Sequence, residues 1–155
     1  MVKFEDVKQF CKNHGIAIRQ FPEKTPTAQT AATAVGCTVA EIAKTILLKI
    51  GDSHVVVIAS GAVKISSSKI KQATGLKGKV IFPQPEEVQD LTGYEPGGVS
   101  PFLLPSNLPV FLDQTLQKYP VIFPAGGNDS SAAVLSPALL AEITTGQWAE
   151  VAQTA

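Results

Sequence analysis

The chain has 155 residues, 45% hydrophobic and 17% charged, and its thirteen basic and thirteen acidic side chains cancel to a formal net charge of zero. That is the size of one domain with its own core; the two cysteines, Cys11 and Cys37, form no redox or metal spacing and exclude a disulfide scaffold. No apolar run approaches the ~20 residues that span a bilayer, and the N-terminal segment mixes charges into a helical pattern, unlike a secretion signal. The expectation is a single domain over residues 1–155, cytoplasmic and without a membrane partner.

Phe4, Val7, Phe10 and Cys11 share one helical face that Gly15 ends. A short strand over 16–21 and a proline-rich turn over 22–26 follow. The alanine-rich stretch 27–35 reads as a helix closed by Gly36. Thr38-Val-Ala-Glu41 has the form of a capping box and leads into a strand over 44–50. Gly51-Asp52-Ser53 turns the chain back through a valine-rich strand over 54–59.

A helix is predicted over 66–74, a brief strand over 80–82 and a helix over 85–91. The last has proline in its first turn and Glu86 and Glu87 near its positive end. An irregular loop, 93–108, precedes strands over 109–113 and 121–123, which flank a helical turn around 114–118. A glycine-containing loop over 124–130, a strand over 132–135 and a helix begun by Ser136-Pro137 complete the chain. Short strands interleaved with short helices, without a βαβ rhythm, indicate an α+β domain with a mixed β-sheet flanked by short helices.

Charge is unevenly distributed despite the neutral total. Residues 1–85 carry twelve Lys/Arg and five Asp/Glu, whereas residues 86–155 carry one and eight. Lys64, Lys69, Lys71, Lys77 and Lys79 lie in a stretch with no acid before Glu86. Such a run either neutralises phosphates, with salt-dependent affinity, or forms a solvated face.

Familiar catalytic machinery is missing. Neither His14 nor His54 has a Ser or Cys partner at motif spacing, no cluster suggests a metal, and no phosphate-binding loop suggests a nucleotide cofactor. No cofactor and no metal are expected. Two features remain. Lys44, at a helix-to-strand junction, either caps the helix end or directs its ammonium into a cleft. In Thr92-Gly-Tyr-Glu-Pro-Gly-Gly-Val-Ser-Pro101, Gly97 and Gly98 permit close backbone approach and Pro96 and Pro101 stiffen their surroundings. Amides held in this way suit an oxyanion or ester oxygen, though each glycine pair, Gly126-Gly127 included, also fits a simple tight turn.

Ala43-Lys44-Thr45-Ile46-Leu47, Thr92-Gly-Tyr94 leading into Gly97-Gly-Val-Ser-Pro101, and Ala125-Gly-Gly127, in this order and spacing, resemble the YbaK/prolyl-tRNA-synthetase-associated domain family along nearly the whole chain. The resemblance implies a free-standing aminoacyl-tRNA deacylase that acts in trans on the ester of a mischarged small amino acid, with tRNA-Pro or tRNA-Cys as candidates. It implies Lys44 as the catalytic residue, engaging the 3′-terminal adenosine, phosphate or ester region. Thr45, Gly97, Gly98, Val99, Ser100 and Pro101, with Gly126 and Gly127, would bind substrate. The nucleophile would be water or the substrate's own thiol. Lys64, Lys69, Lys71, Lys77 and Lys79 become candidates for contact with the tRNA acceptor end; a synthetase is a candidate partner and DNA is not. A non-catalytic tRNA- or synthetase-binding module of the same fold, and a hydrolase of other small aminoacyl esters, are the alternatives.

Overall fold

The computed structural model describes residues 1–153. Helix α1 (Phe4–Asn13) buries Val7 and Cys11, two members of the predicted apolar face. Strand β1 (Ala17–Gln20) follows, then α2 (Ala28–Val35). Thr27 caps α2 by accepting from Thr30 N–H at 3.1 Å, and the Thr30 hydroxyl accepts from Thr27 N–H at 3.0 Å. Gly36, at φ 84°, ends the helix in the left-handed conformation.

The box at Thr38 is only half formed. Glu41 Oε1 accepts from Thr38 N–H at 2.9 Å and from its hydroxyl at 2.9 Å, closing a single short turn over Val39–Glu41. Strand β2 (Ile42–Ile50) begins directly after it, two residues earlier than the pattern suggested. It pairs antiparallel with β3 (Ser53–Ser60). Helix α3 (Ser67–Thr74), strand β4 (Val80–Ile81), helix α4 (Pro85–Thr92) and strand β5 (Val110–Asp113) come next. A short helical turn, Gln114–Lys118, precedes β6 (Phe123–Pro124), β7 (Ser131–Val134), α5 (Pro137–Thr144) and β8 (Gln147–Ala149). Among the described residues no helix is long and apolar enough to cross a membrane.

The main sheet runs β4-β2-β3-β5-β8, with β6 also on β2, and β1 and β7 form a separate antiparallel pair. Parallel β3–β5, β5–β8 and β2–β6 ladders beside the antiparallel β2–β3 and β2–β4 make it a mixed sheet in an α+β fold, as expected. The β2–β3 hairpin is apolar on both faces. Ala43, Leu47, Val56 and Ile58 enter the larger core with Val7, Phe102 and Leu112. Leu48, Ile50, Val55 and Val57 join Ile70 and Val151 on the opposite face. A strand buried on both sides reads as a continuous apolar run rather than an alternating one, which is why 46–48 and 55–59 carry no polar punctuation.

Strands β6 and β4 both occupy the edge of β2 away from β3. Strand β6 pairs with Ile42 and Ala43, and β4 with Lys49 and Ile50. Among the described residues, the β2 edge between them, from Lys44 to Leu48, has no strand partner.

Candidate active site

Where that open edge begins, a cavity of about 180 Å³ is enclosed by the start of β2, the 25–31 segment, the 97–99 loop and the 123–132 segment. Its small volume has a local cause. Ala28 and Ala31 are the residues that α2 presents to it, so the helix approaches without filling the space.

Lys44 and Thr45 both lie on its wall, but strand alternation sends their side chains to opposite faces. Lys44 is paired with Ala59, which packs in the smaller core cluster, and Thr45 with Ile58 of the larger one. The Lys44 ammonium donates to the Val63 carbonyl, leaving two of its three donors for other acceptors. Burial pushes its pKa down from the ordinary 10.5. Lys44 is therefore not a helix cap; among the described residues it is the one ionisable residue on the cavity wall. Thr45 Oγ1 is buried without a hydrogen-bond partner, a condition that costs about 1–3 kcal/mol unless a ligand atom relieves it.

The 93–102 loop is pinned at both ends. The Tyr94 hydroxyl donates to Phe102 O, and burial drives its pKa well upward. Ser100 Oγ, fully buried, donates to Ala125 O at 2.9 Å and ties the loop to the opposite wall. Between these anchors Glu95-Pro96-Gly97-Gly98 is a tight turn closed by Gly98 N–H to Glu95 O at 3.0 Å. Proline second and glycine third, with Gly97 at φ 86°, is the residue order of a type II turn. The Gly98 amide is thus engaged by the turn itself. Gly97 and Val99 reach the cavity, whereas Gly98, Ser100 and Pro101 are buried behind it.

Gly126 and Gly127 do not line the cavity; their neighbours Ala125 and Asn128 do. A Cβ on Gly126 would lie 2.7 Å from Ser131 Oγ, and one on Gly127 would lie 2.8 Å from Val7 Cγ2. Both glycines serve close packing. Asn128 was not apparent from the sequence. Its Oδ1 accepts from Ser131 Oγ at 2.7 Å and Ser130 N–H at 3.0 Å, which orients the amide and leaves its NH₂ as a donor on the cavity wall. An Asn-Asp-Ser-Ser run was the only available signal, and it reads equally as a turn.

Of the five lysines of the basic stretch, Lys69 has an acidic partner. Lys69 Nζ is 2.8 Å from Glu150 Oε1 and also donates to Ala152 O at 3.0 Å. The 150–153 segment runs beside Lys64, with Gln153 N–H donating to Lys64 O at 2.8 Å. Folding thus brings an acid of the second half onto the basic stretch. Lys77 and Lys79 are exposed and flank β4 on the approach to that strand, and Lys71 is half-buried on α3. Elsewhere, burial raises the Cys11 thiol to about 11, so it is a packed side chain and no nucleophile. Buried Asp113 is likewise structural: it caps the 114–118 turn through Thr115 and accepts from Val151 N–H at 3.0 Å.

Among the described residues, the cavity is small and mostly apolar, its wall carries one lysine, an oriented asparagine and a pinned glycine turn, and it holds no nucleophile–base pair, an arrangement suited to chemistry by positioning and electrostatics. Comparisons with known proteins identify the family. A model of the aminoacyl-tRNA editing domain matches residues 22–143, and the chain belongs to that family. It is 34% identical over 136 residues to the uncharacterized protein YwhH of Bacillus subtilis, covering 86% of this chain and 85% of that protein. It is 29% identical over 127 residues to a protein of Enterococcus faecalis provisionally named Cys-tRNA(Pro)/Cys-tRNA(Cys) deacylase EbsC, covering 81% and 76%. A crystal structure provisionally described as a trans-editing enzyme for prolyl tRNA synthetase superposes with a TM-score of 0.87 at 28% identity, over 99% of both chains. The chain is an aminoacyl-tRNA deacylase, a hydrolase whose partner is aminoacyl-tRNA.

Proposed function

We propose that the chain, acting as one domain over residues 1–155, hydrolyses in trans the ester joining a small, uncharged amino acid to the 3′ end of a mischarged tRNA in the cytoplasm, with tRNA-Pro as the preferred carrier. The observation that carries this reading is the cavity itself: about 180 Å³, with Lys44 as its one ionisable wall residue among the described residues. Such a volume takes a small side chain, and a wall with no carboxylate, imidazole or thiol among the described residues leaves the attacking group to water or to the substrate. The preference for tRNA-Pro rests on the similarity to EbsC and to the protein described as a trans-editing enzyme for prolyl tRNA synthetase. By that likeness, a synthetase that charges this tRNA is a secondary partner.

Lys44 is the electrostatic anchor. Its ammonium, oriented by Val63 O, keeps two further donors, which this reading assigns to a phosphate or ester oxygen near the scissile bond. The Asn128 NH₂ and the backbone around Gly97 and Val99 face the aminoacyl group, where donors aimed at the developing oxyanion have the largest effect on rate. The test is a panel of tRNAs charged with Ala, Cys, Ser and Pro, incubated with the protein and with Lys44→Ala. Release of a small amino acid by the wild type, reduced at least 100-fold in the variant, is expected. No release from any charged tRNA refutes the reading and leaves a binding module; undiminished release by the variant removes Lys44 from the mechanism.

A further inference from the structure

The Lys44 ammonium takes its bearing from Val63 O, and that carbonyl belongs to a turn held by one buried hydroxyl. Strand β3 ends at Ser60, which pairs with Ala43, the residue before Lys44. Ser60–Val63 forms a tight turn closed by Val63 N–H to Ser60 O at 3.2 Å. Ser60 is 2% exposed; its Oγ donates to Ala40 O at 2.7 Å and accepts from Ala62 N–H at 3.2 Å. One hydroxyl thereby ties the middle of the turn to the Val39–Glu41 segment that leads into β2. Gly61 N–H adds a bond to Ile42 O at 2.7 Å. A Cβ on Gly61 would lie 2.6 Å from Val39 O and 2.7 Å from Ala28 Cβ, so the turn is pressed against both the entry to β2 and the helix that walls the cavity.

We infer that Ser60 is a positioning residue for deacylation: by fixing the 60–63 turn it fixes Val63 O, and through that carbonyl it sets where the Lys44 ammonium stands. The inference rests on the reading of Lys44 as the electrostatic anchor and extends it to the residue that aims it. Ser60 itself does not line the cavity. A lysine ammonium ends a flexible four-carbon stem, so a single acceptor selects one conformer only when the acceptor does not move. No carboxylate shares that task, since Val63 O is the one hydrogen-bond partner of Lys44 Nζ among the described residues. With Ser60 reduced to alanine, the Gly61 and Val63 amide bonds keep the strand end closed. Ala62 N–H and Ala40 O lose their shared partner, however, and the turn can tilt as a unit. A misplacement on the order of 1 Å costs up to about 100-fold in rate. Binding of the tRNA, spread over a much larger surface, is left almost unchanged.

Steady-state deacylation of mischarged tRNA by Ser60→Ala and Ser60→Thr, each in the wild-type and the Lys44→Ala backgrounds, tests this, with thermal melting as the folding control. Ser60→Ala is expected to lower kcat about ten-fold with KM within about two-fold, and Ser60→Thr, which keeps the hydroxyl, to recover most of the loss. In the Lys44→Ala background Ser60→Ala should change the residual rate by less than about two-fold, because the two residues act as one unit. Should Ser60→Ala fail to fold, Ser60→Cys, similar in size and only a weak donor, takes its place in the cycle. A kcat within about two-fold of wild type in the folded variant, or the same loss in both backgrounds, overturns the inference; a merely structural serine would act without Lys44. Undiminished release by Lys44→Ala, or none by the wild type, refutes the earlier reading instead. The nitrogen NMR resonance of the Lys44 ammonium then decides: it should move in Ser60→Ala, and an unchanged resonance overturns placement by Ser60.

Discussion

Substituting Ala31 by leucine separates a cavity that selects by size from one that merely lies near the chemistry. Ala31 is half-buried on α2 and lines the cavity; leucine is nearly as good a helix former, so the backbone has little reason to change. Leucine adds three carbons, each taking roughly the ~30 Å³ share of a water molecule, or ~90 Å³ in all. That is about half of the ~180 Å³ available. Room lost on the scale of a methylene changes discrimination by about 1–3 kcal/mol, or roughly 10–200-fold. The kcat/KM for release of proline or cysteine should fall within that range, while release of glycine falls less than about threefold. The assay is single-turnover release of labelled amino acid from tRNAs charged with Gly, Ala, Cys and Pro, with thermal melting as a folding control. Equal losses across the series, or none with the fold intact, would show that the aminoacyl side chain does not enter this cavity.

Three further outcomes are expected. Because burial disfavours the Lys44 ammonium, its proton leaves below the ordinary 10.5, so deacylation corrected for spontaneous hydrolysis should be full at neutral pH and decline as pH rises through that lowered pKa. Lys44→Arg, charged throughout, should flatten the alkaline limb. The folded chain holds this proton less tightly than the unfolded one, so the lysine's own contribution to stability improves over the same range; activity should be lost without a matching fall in Tm. Gly127→Ala combines φ 112° with a Cβ 2.8 Å from Val7 Cγ2, which should cost about 2 kcal/mol and lower Tm by roughly 4–8 °C, and a Tm within 1 °C of wild type would show that α1 yields freely there. Replacing exposed Lys77 and Lys79 together by glutamine should reduce the salt slope of tRNA affinity by about 1.5, whereas Lys69→Gln, already paired with Glu150, should leave the slope unchanged; filter binding across salt distinguishes them.

Much of the fold was legible because local signals and tertiary packing agree. The left-handed Gly36 end of α2 and the β2–β3 hairpin fall where the C-cap glycine and the apolar runs place them, whereas Thr27, read as the first helical residue, is the cap. The β8 strand, Gln147–Ala149, was missed because its three residues make no recognisable pattern and are held only by pairing with β5. The separate β1–β7 pair was equally invisible, since partner choice between short strands depends on the turns and cores around them. Within the site, Lys44 and the loop around Gly97 carried a sequence signal. Asn128, Ala28 and Ala31 did not: an asparagine in a turn and alanines in a helix become informative only when their neighbours are known. Gly126 and Gly127 carried a signal whose physical cause lies elsewhere, in Ser131 and Val7.

The location of the cavity follows from an incomplete sheet edge. Strand β2 is central to the fold and buried on both faces, yet two short strands cover only the ends of its outer edge. Sheet edges left open are usually blunted by charge or covered, and here the opening begins at a lysine. Placing Lys44 at that point protects the edge and puts a cation beside a pocket whose other walls are neutral. The ammonium is fixed by a backbone carbonyl rather than by a carboxylate, so its charge is not cancelled before substrate arrives. A carboxylate partner would have raised its pKa and neutralised its field; the carbonyl orients it and leaves both the depressed pKa and the net positive charge available. Catalysis by position then depends on the residues that hold the walls together, above all Ser100 on Ala125 O and the Asn128 oxygen that gathers Ser130 and Ser131. Loosening these bonds should lower kcat even though Ser100 and Ser130 lie off the cavity wall.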